Sequence, residues 1–435
     1  MNDIYRQKAM GKIPKGWEIK KLGKYIDIYS GYAFKRKDFI SNNPNAIPVI
    51  KIGNLKNGFV VIDRKTNYVN NYYYKKLREY QMKPEDVLIA LSGATTGKIA
   101  IVSNEIKFAL LNQRVGLFKI IDLNRIYKKF FYFLFQTDTF NKSIKRNIGQ
   151  SAQGNLSPEQ IKKVKIILPP ISEQKKITEI LSIVDEGIQK VDEVIRRTER
   201  LKKGLMQNLL TKGIGHKDFK DTKIGRIPKD WGVKELRETV EKDDDIVAGP
   251  FGSNLKVSDY IEEGIPIIRL QNIERNKFVN KDIKYISLKK ANELKYHSFK
   301  SGDIVLAKLG DPIGKTCIIP TNIKCGIVVA DVVRIRASNK KAYRDFIEYI
   351  LNSNICIKQL HKQIIGSTRP RVNITQIRNL KIPIVPIKEQ QKIAEILSTI
   401  DKKIELQRKR KEKLERIKKS LMNDLLSGKK RVRIG

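Results

Sequence analysis

The sequence predicts an α+β chain written twice: two similar globular α/β domains, separated by two long helices forming an antiparallel coiled coil, in a pseudo-twofold tandem repeat. Three observations predict it. Four landmarks recur in order at nearly constant offset. Each repeat carries short β-branched runs bounded by turn residues. Each repeat ends in a long proline-free stretch whose apolar residues step by three and four.

The landmarks come first. Ile13-Pro14-Lys15-Gly16-Trp17 recurs as Ile227-Pro228-Lys229-Asp230-Trp231, and these hold both tryptophans of the chain. Ile47-Pro48-Val49-Ile50-Lys51-Ile52-Gly53-Asn54 recurs as Ile265-Pro266-Ile267-Ile268-Arg269-Leu270-Gln271-Asn272. Glu85-Asp86-Val87-Leu88-Ile89-Ala90, with a glycine-rich turn after it, recurs as Gly302-Asp303-Ile304-Val305-Leu306-Ala307. Pro170-Ile171-Ser172-Glu173-Gln174-Lys175-Lys176-Ile177 is matched by Pro386-Ile387-Lys388-Glu389-Gln390-Gln391-Lys392-Ile393. The offsets run from 214 to 218 residues, which establishes a duplication.

Within the first repeat, Val87–Leu91, Ile99–Val102 and Val115–Ile121 read as strands and Ile126–Phe140 as helical. The stretch from Glu173 to Leu210 holds no proline, and its stripe runs Ile177, Leu181, Val184, Ile188, Val191, Ile195, then Leu201, Leu205 and Leu209. In the second copy the stripe is Ile393, Leu397, Ile400 and Ile404; Gln407 and Lys411 interrupt it, and Leu414, Ile417, Leu421 and Leu425 resume it. This is a coiled-coil pattern with charged flanks. Each helix is expected to span 38 residues (173–210 and 389–426), or roughly 57 Å at about 1.5 Å per residue. The segment from Leu210 to Ile224 reaches at most roughly 50 Å when extended, so the second helix most economically runs back along the first. The expected division is therefore 1–170, a first globular domain; 171–214, a helix; 215–385, a second domain; and 386–435, a second helix.

Lys and Arg total 88 against 46 acids, a net charge of +42. Such an excess captures polyanions, and nucleic acids above all through counterion release; a lysine-rich solvated surface is the plainer alternative. By stretch, residues 386–435 carry 16 basic and 7 acidic side chains and residues 171–214 carry 9 and 7, so the excess is spread. Three cysteines, Cys317, Cys325 and Cys356, fit neither a paired framework nor a zinc site. No apolar run follows the basic residues of the N-terminus, and no stretch reaches the roughly 18 apolar residues of a membrane span. A cytoplasmic chain with no membrane contact is expected.

The turns Gly93-Ala94-Thr95-Thr96-Gly97-Lys98 and Gly310-Asp311-Pro312-Ile313-Gly314-Lys315-Thr316 fall short of a phosphate loop. That loop has four residues between Gly and Gly-Lys, and here there are three. Tight β-turns at a DNA face are the preferred reading, with glycine letting the backbone near a phosphate and Lys98 or Lys315 touching it. Gly149-Gln150-Ser151-Ala152-Gln153-Gly154-Asn155 precedes the first long helix, and Gly366-Ser367-Thr368-Arg369-Pro370-Arg371 precedes the second. Amides pair with adenine and arginines with guanine in the major groove. Gln150, Ser151, Gln153 and Asn155 on one side, and Ser367, Thr368, Arg369 and Arg371 on the other, would suit two domains reading different bases; solvated polar loops are the alternative. Phe251-Gly252-Ser253 reads as a structural loop, and Tyr72-Tyr73-Tyr74 as packing on a domain surface, with stacking on bases the alternative. The tail Lys429-Lys430-Arg431-Val432-Arg433 reads as a phosphate contact or a frayed end. No catalytic constellation is found: no placed Cys/His pair, no zinc-protease motif, and no methyltransferase fingerprint.

Two divergent domains and two similar helices, each helix entered through Pro-x-x-Glu-Gln-x-x-Ile (Pro170–Ile177 and Pro386–Ile393), resemble the specificity subunit of type I restriction–modification enzymes. The Ile-Pro-x-x-Trp entrances and the Asp-Val/Ile-Leu/Val strand before a glycine turn resemble it too. Glu85 stands where the second copy has Gly302, a departure confined to a turn. The resemblance covers essentially the whole chain. It implies two target recognition domains, each reading half of a bipartite asymmetric sequence in double-stranded DNA, with the helices setting the gap. It also implies a non-catalytic chain that binds no cofactor. The chemistry would belong to two methyltransferase subunits using S-adenosylmethionine and to restriction subunits that use ATP and Mg²⁺ to translocate DNA. The methyltransferase subunits are expected to dock on the helices, around Ile177, Leu181, Val184, Ile188, Ile393, Leu397, Ile400 and Ile404. A non-catalytic nucleic-acid-binding adaptor without base specificity is the alternative.

Overall fold

The structure, a computed structural model, describes residues 5–8, 11–148, 155–338, 340–364 and 370–433. The chain divides into two compact units, Met1–Asp192 with Lys409–Gly435, and Glu193–Arg408. Each unit thus holds one globular domain together with a part of both long helices.

In unit 1 the main sheet is ordered Ile26–Ser30, Val115–Ile120, Val87–Ala90, Ile99–Ile101, Phe59–Val60 and Leu55–Lys56. A second sheet runs Leu110–Leu111, Ala46–Ile50, Asn67–Asn70 and Phe39–Ile40. Val87–Ala90 is buried along its whole length, which fits a run with no polar residue. Unit 2 repeats the central pairing: Ile246–Ala248, Val332–Ile335, Ile304–Ala307 and Thr316–Ile318 in one sheet. The helical stretch expected at Ile126–Phe140 is two helices, Lys128–Leu134 and Asp138–Ile148. Thr137 ends the first and starts the second: its hydroxyl donates to the Leu134 carbonyl (2.7 Å) and accepts from the Phe140 amide (3.3 Å). Ser353 plays the same part between Arg344–Leu351 and Asn354–Lys362.

The long helices span Ile171–Lys212 and Ile387–Leu425, 42 and 39 residues. Both begin directly after a proline, earlier than periodicity alone indicates, because a helix's first turn needs no apolar stripe to form. Two repeated motifs explain each other here. In unit 1 the Trp17 indole donates to the Glu173 carboxylate at 3.2 Å, and in unit 2 Trp231 donates to Glu389 at 3.2 Å. The glutamines beside those acids clamp the preceding loop: Gln174 Oε1 accepts from the Tyr127 amide at 2.9 Å and Gln390 Oε1 from the Tyr343 amide at 2.7 Å. The Ile-Pro-x-x-Trp and Pro-x-x-Glu-Gln segments are thus two halves of one joint that fastens helix to domain.

The helices run antiparallel within each unit. In unit 1, Asp185 pairs with Lys418 (2.6 Å) and Asp192 with Lys411 (2.7 Å). In unit 2, Glu199 pairs with Arg408 (2.7 Å) and Lys202 with Asp401 (2.6 Å). Lys411, which breaks the apolar stripe, does so to meet the partner helix's carboxylate. The tail is neither frayed nor free: Arg431 binds the Glu173 carboxylate, Lys430 pairs with Asp424 (3.0 Å), and Val432 packs on the core of unit 1.

Ile177 and Leu181 are buried in the core of unit 1, and Ile393 and Leu397 in that of unit 2. Ile404 is buried as well, and Val184, Ile188 and Ile400 are half-buried. This corrects their expected role. An apolar stripe on an amphipathic helix covers the nearest core, and each fully buried Ile or Leu contributes about 1.5–3 kcal/mol to its own fold. Ile183 and Leu406, off the stripe, are exposed, and so is Leu201, where the expected stripe is not covered.

Candidate nucleic-acid interface

The glycine turns and the described ends of the polar loops, Asn155 and Pro370–Arg371, about 60 residues apart in sequence, come together in both units. In unit 1 the turn closes through Gly97 N–H to Ala90 O (2.8 Å) and Ala90 N–H to Lys98 O (2.9 Å). In unit 2, Gly314 N–H to Ala307 O (3.0 Å) and Ala307 N–H to Lys315 O (2.9 Å) make the same turn. A strand follows each, Ile99–Ile101 and Thr316–Ile318, as expected once the phosphate-loop reading is rejected. The chain leaving the polar loop then returns onto the turn. Leu156 N–H donates to Leu91 O (2.9 Å) in unit 1; in unit 2, Val372 N–H donates to Lys308 O (3.0 Å) and Gly310 N–H to Pro370 O (3.1 Å).

The two glycines of each turn do different things. A Cβ on Gly97 would stand 2.9 Å from the Ile144 side chain, and one on Gly314 would stand 2.4 Å from Leu360. With φ of +85° and +77°, these positions let the turn pack on the following helix, not on a phosphate. Gly93 and Gly310, at φ +87° and +115°, face open space. Among the described residues, nothing occupies the space a side chain would take there.

Around Gly93 lies a hollow of about 460 Å³, lined by Ser30, Gln113, Arg114, Asn155 and Pro158 among others. Asn155 is exposed at its edge, and Lys98 is half-buried in the turn beside it. At the matching place in unit 2 the Arg371 guanidinium donates to Asp331 at 3.2 Å. Lys308 lies alongside; burial holds its ammonium below the usual lysine value, and Arg371 adds to that against the pull of Asp331. Arg114 and Asp331 occupy equivalent positions, one residue before Val115 and Val332, and their carbonyls accept equivalent bonds from Leu91 and Lys308 (both 3.0 Å). One edge therefore presents an amide and a guanidinium, the other a guanidinium, an ammonium and a carboxylate. Both are sets of donors and acceptors suited to base edges.

Lys315 does not serve as a free phosphate contact. Its ammonium binds Glu274 at 2.9 Å, because the turn that carries Glu274 crosses beside it. Gln150, Ser151, Gln153, Ser367, Thr368 and Arg369 lie outside the described residues. Sequence reading missed Ser30, Gln113 and Arg114 in unit 1, and Lys308 and Asp331 in unit 2. Their polarity inside otherwise apolar strand ends was the available signal. Tyr73 and Tyr74 pack with Tyr32, Phe34 and Tyr80, as expected, while Tyr72 is exposed. Phe251 is exposed. Cys317 and Cys356 are buried, and burial pushes both thiols up, which removes them from nucleophilic use. Among the described residues no group of three or more His, Cys, Asp or Glu is placed to hold a metal ion, and no helix is long and apolar enough to cross a membrane.

Comparison with known proteins bears on this arrangement. The sequence model of the type I restriction modification DNA specificity domain matches residues 14–196 and again 228–416. The chain is 31% identical to the specificity subunit of the type I restriction enzyme MjaVIII of Methanocaldococcus jannaschii, over 97% of this chain and 95% of that one. It is 24% identical to the EcoBI specificity subunit of Escherichia coli, over 88% of this chain and 78% of that one. Among solved structures, the type I restriction–modification S subunit of M. genitalium superposes with a TM-score of 0.58 at 14% identity, over 94% of this chain and 96% of that one. That likeness shows the shared fold, and the duplicated match shows the repeat. The chain belongs to the family of type I restriction enzyme specificity subunits.

Proposed function

We propose that this family member is a DNA-binding subunit whose two globular domains each read one half of a bipartite, asymmetric duplex site. The observation that carries the reading is the paired edge. In both units a glycine turn and the chain leaving a polar loop converge on equivalent backbone bonds, yet one edge offers Asn155 and Arg114 and the other Arg371, Lys308 and Asp331. A frame held constant with different donors and acceptors mounted on it is what two distinct readings require. The net charge of +42 supplies sequence-independent attraction to phosphates.

The chain itself is non-catalytic and takes no cofactor. Methylation with S-adenosylmethionine belongs to two methyltransferase subunits, and ATP- and Mg²⁺-dependent translocation and cleavage to restriction subunits. The methyltransferase subunits dock on the outward face of the helices, where Ile183, Leu201 and Leu406 stay exposed, rather than on the buried stripe. The helical residues between the domains set the number of base pairs between the half-sites.

The test is to co-express the chain with its methyltransferase subunits and to map methylated bases by sequencing. A split motif with a fixed unread gap is expected. A continuous motif would sink the spacer claim, and methylation without sequence preference would favour an adaptor lacking base specificity. Deleting four residues from each helix shortens it by roughly 6 Å. The gap should then change by about two base pairs, at about 3.4 Å per step, with both half-sites keeping their letters.

A further inference from the structure

Unit 2 holds a second concave surface that base reading does not use. A hollow of about 710 Å³ lies between the last part of the first long helix, the turn at Lys223–Arg226, the Arg275–Asn276 turn and the segment Asn352–Lys362. Lys203, Lys223, Arg226, Arg275, Lys358 and Lys362 stand around it, and all are exposed at its rim. Among the described lining residues the acid is Glu199, and it is already bound to Arg408 at 2.7 Å. Lys202, deeper, is paired with Asp401 at 2.6 Å and donates to Asn276 Oδ1 at 3.3 Å. That bond orients the Asn276 amide, whose Nδ2 faces the buried Glu348 carboxyl. The wall is therefore a ring of cations over a polar floor.

A concave surface lined by one sign of charge focuses its field into the cavity. Its volume falls in the range of small-molecule sites, about 300–1,000 Å³. A sphere of that volume is roughly 11 Å across, narrower than the major groove of a duplex at about 12 Å. Charge of the opposite sign must therefore come from a narrow, flexible ligand. The basic rim is also a property of the second copy alone at two places. Lys223 has Ala9 as its sequence counterpart, and Arg275 has Asn57, the first residue of the equivalent two-residue turn. Shared architecture does not account for either.

We propose that this hollow binds a small ligand carrying a linear chain of phosphates, either a nucleoside triphosphate or inorganic polyphosphate. Arg275, Lys358 and Lys362 hold the phosphate chain by charge-assisted hydrogen bonds. The apolar side chains of Met206 and Ile355 give a nucleoside, where one is present, a surface to rest on.

The experiment is calorimetric titration of the full chain with inorganic tripolyphosphate and, separately, with ATP, in about 0.1 M salt where screening still permits multivalent contacts. Saturable one-to-one binding is expected. It should weaken at least roughly tenfold in Arg275→Glu/Lys358→Glu, and about threefold in the milder Arg275→Gln/Lys358→Gln, as charged contacts are lost. Reversing two exposed lysines elsewhere on the same domain, Lys289→Glu/Lys295→Glu, should leave it within about twofold, since distant surface charge is screened. ATP binding well above tripolyphosphate identifies a nucleotide site, and equal binding a polyphosphate site. Absence of saturable binding, or binding unchanged in both Arg275/Lys358 variants, overturns the proposal. So does competition by a 20-base-pair duplex that the same variants weaken equally, which would make the hollow part of the DNA surface.

Discussion

Unit 1 and unit 2 close the same joint with different partners. In unit 1 the Glu173 carboxylate takes the Trp17 indole and the Arg431 guanidinium of the chain's own tail. In unit 2, Glu389 takes the Trp231 indole, the His216 imidazole at 2.9 Å and the Ile214 amide at 2.9 Å. The contrast continues in the helix that packs beneath. Tyr132 in unit 1 is replaced at the equivalent position by Glu348 in unit 2, and both are buried. Burial pushes the Glu348 carboxyl up from the ordinary 4.5 to about 7, against a hydrogen bond from the Asn276 amide and with Asp345 and Asp401 adding to the rise. Backbone bonds and the Trp–Glu contact are held constant between the units. The groups that finish each contact are not, so a duplication can keep one frame and still diverge in what it presents.

Removing the shared carboxylates should break the comparison most sharply. Glu173→Ala leaves the buried Trp17 indole without its acceptor and the exposed Arg431 without its partner, and about 2–3 kcal/mol of unit 1 stability should go with it. Glu389→Ala should cost less, about 1–2 kcal/mol, because that carboxylate is less deeply buried than Glu173 and the exposed Ile214 amide can reach water. The two tryptophans sit one in each unit, so urea unfolding followed by fluorescence of Trp17→Phe and Trp231→Phe backgrounds reads the units separately. Equal losses would mean that the differing third partners carry no weight.

Glu348 should give an effect of similar size. Below about pH 4.5 both folded and unfolded forms are protonated and stability is untouched. As pH rises from about 4.5 to 7 the unfolded state loses its proton first, so unit 2 should lose stability across that window, on the order of 3 kcal/mol at most. Glu348→Gln should remove the slope and stabilise unit 2 at pH 8, while unit 1 stays unchanged. An identical pH profile for wild type and variant would contradict it.

Smaller effects belong to the turns. Gly314→Ala should destabilise unit 2 by about 2–3 kcal/mol through its clash with Leu360 and its positive φ, and Gly97→Ala unit 1 by about 1–2 kcal/mol. Gly93→Ala and Gly310→Ala meet nothing, so they should cost only the strain of a positive φ, about 1 kcal/mol. Thermal unfolding of the four variants ranks them, and a reversed order would refute the division of labour between the two glycines.

Much of this was legible in the sequence, for identifiable reasons. The duplication shows because both joints need the same two side chains, Trp17 with Glu173 in one and Trp231 with Glu389 in the other. The helices show because a stripe covering a core must repeat with the helical period. The stripe's destination does not show: Ile177 or Leu397 on an amphipathic face reads alike whether it meets its own domain or another chain. Arg114 and Asp331 stayed hidden because strand pairing, not sequence spacing, brings them to Asn155 and Arg371. Lys315 looked available until its ion pair with Glu274, 41 residues away, was in view.

The account stands on two edges that read separately. The direct measurement selects DNA from a random duplex library with the assembled complex, carrying in turn the wild-type chain, Asn155→Ala and Arg371→Ala. Each substitution should relax base preference in one half-site only, a different half for each, at about 1–3 kcal/mol per lost base contact. Relaxation of both halves by either variant, or of the same half by both, would contradict the assignment of one reading to each unit.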